Sequence, residues 1–195
     1  MPSISQKFQL YDHPAQMEPL LPADHRLAAL LEQAHDLIRS ADQLSGKCQP
    51  GALDGLRTLL RAMNSYYTNR IEGQHTLPVE IEQALRNDYS ADEARRQRLA
   101  VAHMAAEQAL EQRWSQWEPR QIWSAAMVCD IHQDLFARLS EQDRTLAEGD
   151  ALQPGVLRDR EVSVGRHAAP QAQALPAFLE RWGSFYAQVR RGEMQ

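Results

Sequence analysis

Residues 65–73 read Ser65-Tyr66-Tyr67-Thr68-Asn69-Arg70-Ile71-Glu72-Gly73 and close a helical pattern. Upstream, Leu53, Leu56, Leu60, Met63, Tyr67 and Ile71 recur at three- and four-residue steps, which predicts one buried helix face. A second stripe, Arg61, Ser65, Thr68 and Glu72, lies beside it and is polar. Thr68 and Glu72 are four residues apart, so their side chains emerge on the same side of the helix end. Gly73 suits the position just past a helix, where the chain turns left-handed. Glu72 sits at the negative end of the helix dipole, where a carboxylate is mildly disfavoured. A cation from elsewhere would relieve that cost, which makes Glu72 a candidate regulatory or binding carboxylate.

Working outward, 195 residues make one domain or two small ones, long enough for a real core. Alanine, leucine, glutamine, glutamate and arginine dominate, which favours helix. Net charge is −5 with both signs interspersed, which argues against non-specific nucleic-acid binding. Arg95, Arg96 and Arg98 share their helix with Asp92, Glu93 and Glu107 and read as a solvated face. Cys48 and Cys129 form no disulfide framework, and no Cys or His pair has zinc-site spacing. No run has signal-peptide or membrane-span character, so no membrane partner is expected and the location expected is cytoplasmic.

Residues 1–23, rich in proline, read as an extended arm. A first helix is predicted from Asp24 to about Leu44, with Leu27, Leu30, Leu31, Ala34, Leu37, Ile38 and Leu44 buried. The second covers about 52–73. Thr76 is a candidate cap for a third helix that opens at Pro78 and runs to about Leu85. Residues 24–90 thus form an N-terminal helical region. In 91–195, Ser90-Ala91-Asp92-Glu93 forms a capping box for a helix to about Trp114 with an alanine-rich inner side. A further helix is expected from Gln121 to about Leu139, then a loop over 140–154. Val162 and Val164 alternate with polar residues and suit a short two-stranded ribbon within about 155–167. A last helix is expected from about Leu175 to Arg190.

No complete catalytic constellation is present. There is no glycine-rich phosphate loop and no nucleophile elbow. His132 lies on an apolar helix face and reads as a core histidine hydrogen-bonded to a loop. His75 and His167 read as turn or surface residues, and Tyr66, Tyr67, Trp114, Trp117 and Trp123 as packing. The ribbon is the second informative feature, because an exposed sheet edge accepts an incoming strand.

Thr68-x-x-x-Glu72-Gly73 resembles the inhibitory-helix motif, Ser/Thr-x-x-x-Glu-Gly/Asn, of Fic proteins, which are AMP-transferases. Pro78 and Glu80, opening the next helix, fit the subgroup that carries this element N-terminal to its catalytic core. Ile131-His132-x-x-Leu135 is similar to the family's early core helix. Pro154-Gly155-x-x-Arg158-x-x-x-Val162-x-Val164-Gly165, then Pro170 and Phe178-Leu179-x-x-Trp182, looks like its hairpin flap and following helix. The resemblance runs from about residue 24 to the end. The order and spacing of four short motifs carry it.

The resemblance implies an all-α, multi-helix bundle with one small β-hairpin, the flap, and an incomplete Fic-type core. Glu72 would be the inhibitory glutamate, Thr68 the motif's hydroxyl residue, and Gly73 its closing glycine. Arg158, Asp159, Arg160, Glu161, Val162, Ser163, Val164 and Gly165 would be the flap that docks a protein target, or the protein itself, by strand addition. In the family, AMP passes from ATP to a Tyr, Thr or Ser hydroxyl with the help of Mg2+. The signature that does this, His-x-Phe-x-Asp/Glu-Gly-Asn-Gly-Arg-x-x-Arg, is absent from these residues. The expectation is therefore a truncated fragment with no catalytic residue and no metal site, binding neither ATP nor Mg2+ by itself. Missing helices would leave an apolar face for a homodimer. The alternative is a helical interaction or regulatory module without chemistry.

Overall fold

The computed structural model describes residues 11–18, 20–71, 73, 76–90, 94–114, 116–118, 121–146, 149–164 and 167–190. These residues are mostly helical. The α-helices are α1 (Asp24–Lys47), α2 (Pro50–Ile71), α3 (Pro78–Leu85), α4 (Ala94–Trp114), α5 (Ala125–Phe136), α6 (Glu141–Arg144) and α7 (Leu175–Arg190). Among the described residues, no helix is long and apolar enough to cross a membrane. The described parts of 1–19 and 105–195 make one compact unit and 20–104 another. The division falls within α4.

In the unit of residues 20–104, Ile81, Ala100 and Met104 form the core, with Ala62 and Tyr66 packed against it. Helix α2 reaches that core with an unexpected face. Ser65 and Asn69 are its buried residues, whereas Leu56, Leu60, Met63, Tyr67 and Ile71 are exposed. The periodicity therefore identified an amphipathic helix and assigned its inner side wrongly. The reason lies across the core: the Ser65 hydroxyl donates to the Ala100 carbonyl at 3.1 Å, satisfying a polar group that would otherwise be costly to bury. Helix α1 departs further. None of its residues is buried, and Leu37 remains 71% exposed, so the expected inner stripe from Leu27 to Leu44 faces outward.

Helix α3 starts where proline at its first position suits it, but Thr76 does not cap it. Leu77 is the N-cap, and its N–H donates to Glu80 Oε2 at 2.6 Å. Residues 91–93 of the expected capping box lie outside the described residues; Ser90 N–H donates to the fully buried Gln97 side chain at 2.9 Å. The alanine-rich inner side of α4 is present, with Ala100, Ala102 and Ala106 buried.

In the other unit, the helix expected from Gln121 to Leu139 is interrupted. Gln121–Trp123 forms a 3-10 turn, and Ser124 caps α5, its hydroxyl accepting the Met127 N–H at 3.1 Å. The expected loop at 140–154 contains α6, capped in the same way by Ser140. Trp123 stacks on Tyr186 at 5.0 Å and meets Trp182 edge-on at 5.6 Å, fixing α7 on the 3-10 turn. Gly183 permits that approach, since a Cβ there would run into the Trp123 carbonyl. Residues 11–18 are not simply extended: they contain a 3-10 turn, Pro14–Gln16. Tyr11 accepts the Gln171 N–H at 2.7 Å, and Glu18 pairs with Arg181.

The hairpin flap expected over 155–167 is not seen as such. Antiparallel pairing is confined to two residues a side, Ser163–Val164 with His167–Ala168, in the register Ser163 to Ala168 and Val164 to His167. The preceding residues follow an irregular path that begins with the left-handed Gly155 at φ 77°.

Candidate functional site

The end of α2 is built as a helix terminus. The helix runs through Thr68 to Ile71, and Thr68 is exposed. Gly73 has φ 76°, the left-handed conformation that glycine adopts without steric cost, and its N–H donates to the Arg70 carbonyl at 3.1 Å. Arg70 leans back along the helix, donating to the Tyr66 hydroxyl at 3.0 Å. Glu72, the residue on which the inhibitory reading turns, lies outside the described residues, as does His75.

Residues 155–170 are organised by side chains that reach backbone groups. Arg158 donates to the Arg160 carbonyl at 2.6 Å and to the Pro170 carbonyl, drawing both sides of the segment together. Glu161 Oε1 accepts the Ala172 N–H at 3.1 Å, and Arg160 pairs with Asp150. Ala169 N–H donates to the Val162 carbonyl at 3.0 Å. These contacts explain why the ladder is short: Arg158 and Glu161 satisfy backbone groups that a longer hairpin would pair. Asp159 is exposed, and Gly165 lies outside the described residues. The structure thus brings Arg158, Arg160, Glu161, Val162 and Ser163 into one segment. Thr68 and Gly73 belong to the other compact unit.

Sequence reasoning did not single out the cleft of about 840 Å3 between α5 and residues 149–160, which Cys129, His132, Asp150, Leu157 and Arg158 help to line. His132 is bonded to a loop as the sequence suggests, but it is half-buried at the cleft and not in the core: its Nδ1 accepts the Gly155 N–H at 2.9 Å, and its ring lies 4.5 Å from that of Phe136. Burial holds this imidazole below its usual value of 6.5. The acceptor role of Nδ1 places the ring hydrogen on Nε2, so neutral His132 offers the cleft a donor and not a base.

Several described arginines of this unit are already engaged. Arg113 is paired with Asp134, Arg160 with Asp150 and Arg181 with Glu18, while Arg158 is spent on carbonyls. Among the described residues, no helix start offers a glycine-rich phosphate cradle, and no group of three acidic, histidine or cysteine side chains is placed to hold a metal. No family model matches the chain, and no curated protein or solved structure matches it significantly.

Proposed function

We propose that these residues supply the regulatory and target-docking elements of a Fic-type protein AMP-transferase, with Glu72 as the inhibitory carboxylate. The observation that carries this reading is the terminus of α2. A long helix presents Thr68 to solvent and ends in a left-handed Gly73, the local form expected where a carboxylate is offered to a cation from outside the helix. The segment from Arg158 to Val164 supports it as the docking element. Its two-stranded pairing leaves each strand with a single sheet neighbour, and Arg158 and Glu161 hold the approach to it rigid.

On this reading the chain's own residues restrain and position; they do not transfer. The nucleotide, its Mg2+ and the basic histidine belong to the signature, which these 195 residues lack. Incubating the chain with Mg-ATP should leave its mass unchanged. A gain of one AMP would overturn the assignment of chemistry to residues outside it.

A second reading, a helical interaction module without chemistry, is favoured by α1, a 24-residue helix with no buried residue. The two separate on the codons after Gln195: the first expects the His-x-Phe signature there, and the second does not.

A further inference from the structure

Helix α1 spans about 36 Å at 1.5 Å per residue, yet buries none of its residues. Helices draw most of their stability from covering an apolar face, so a stripe of this length in water is an unmet demand. Its apolar positions follow a heptad. Leu27, Ala34 and Ala41 occupy one seam position, Leu30, Leu37 and Leu44 the other, and Leu31 and Ile38 widen the stripe along one edge.

We infer that α1 is a dimerisation helix whose partner is the antiparallel α1 of a second copy of this chain. This goes beyond the proposed function and does not depend on it. Self-complementarity of the seam selects the occupant. In an antiparallel pair with a two-fold axis between residues 35 and 36, Leu30 meets Ala41 of the partner subunit and Ala34 meets Leu37 of the partner subunit. Leu27 meets Leu44 of the partner subunit. Every alanine is then opposite a leucine, and large and small side chains interdigitate. A parallel pair would instead set Ala34 and Ala41 each against itself, leaving two thin layers. On the widened edge, Leu31 lies beside Ile38 of the partner subunit.

The available area suits the same occupant. Leu27, Leu30, Leu31, Leu37, Ile38 and Leu44 are 39–71% exposed. Together they offer roughly 600 Å2 per copy, against about 800 Å2 per partner in a standard interface, with the seam alanines and flanking stems available for the remainder.

Light scattering on the size-separated chain at micromolar concentration tests this. The expected mass is about twice 22.2 kDa, falling to the single-chain value in the double variant Leu30→Glu/Leu37→Glu with its circular dichroism still helical. Those positions are exposed, so the core of the unit is untouched. Register is read in a Cys48→Ser/Cys129→Ser background by oxidising Leu30→Cys and Ala41→Cys chains. A covalent dimer should form when the two are mixed and not from either alone. A monomeric wild-type chain, a dimer that survives the double glutamate variant, or cross-linking of Leu30→Cys with itself would each overturn the inference.

Discussion

His132 Nδ1 accepts the backbone N–H of Gly155 at 2.9 Å, tying the apolar helix α5 to the first residue of an irregular segment twenty-three positions away. The bond exists only while the imidazole is neutral, because a protonated ring donates from both nitrogens. Burial lowers the pKa in the folded chain, so the unfolded chain binds the proton more readily. Stability from this site is therefore fully present above 6.5 and is lost as pH falls below 6.5 through the folded value. Thermal unfolding of the wild-type chain should weaken over that range more than that of His132→Phe, which cannot titrate there. Parallel pH profiles would contradict this role.

Two left-handed glycines should respond differently to alanine. At Gly73 a Cβ meets nothing within 4 Å, so Gly73→Ala bears only the cost of the backbone conformation, about 1 kcal/mol. At Gly155 the Cβ would lie 2.9 Å from Gln133 Oε1 and 3.1 Å from Gln133 Cβ. Gly155→Ala should therefore cost more, on the order of 2 kcal/mol. Urea midpoints compare the pair, and equal losses would show that the contact with Gln133 yields freely.

Ser65 is fully buried, and its hydroxyl serves the Ala100 carbonyl. Ser65→Ala should destabilise the chain by about 1 kcal/mol through loss of one buried hydrogen bond, the Ala100 carbonyl keeping its place in the ladder of α4. Denaturant unfolding measures it. A loss no larger than that of Thr68→Ala, at an exposed position, would mean that the hydrogen bond contributes little.

Arg158 holds two carbonyls with one planar group. Arg158→Ala should loosen residues 155–170 and hasten proteolytic cleavage there. Arg158→Lys should rescue little, because an ammonium cannot reproduce the guanidinium fork. Limited proteolysis with mass mapping reads the site of cutting. Wild-type resistance in Arg158→Lys would refute the clamp.

Helix boundaries were largely legible in the sequence. α7 occupies Leu175–Arg190 and α3 ends at Leu85, as their patterns require. The capping signal for α6, Ser140-x-x-Asp143, is of the kind read at Ser90 and lies within the stretch expected as a loop. Burial was legible only in part. Periodicity reveals that α1 and α2 have apolar faces, but what covers a face depends on other elements. In α2 the partner of Ser65 is Ala100, thirty-five residues away. The ribbon was overextended for the same reason: the Arg158 bond to the Pro170 carbonyl is a tertiary contact that no alternation of valines announces. At the candidate site, the helix end and Gly73 followed from local chemistry, whereas the cleft beside His132 needed the fold.

The central claim rests on Glu72, and its most direct test is AMP incorporation from labelled ATP by the gene's product read to its own stop codon. Losing one partner of a partly buried ion pair costs about 3–5 kcal/mol, and each ~1.4 kcal/mol changes productive binding about tenfold. Glu72→Gly should therefore raise incorporation at least about tenfold, while Thr68→Ala changes it less. An unchanged rate in Glu72→Gly, with the wild-type protein active, would contradict the account.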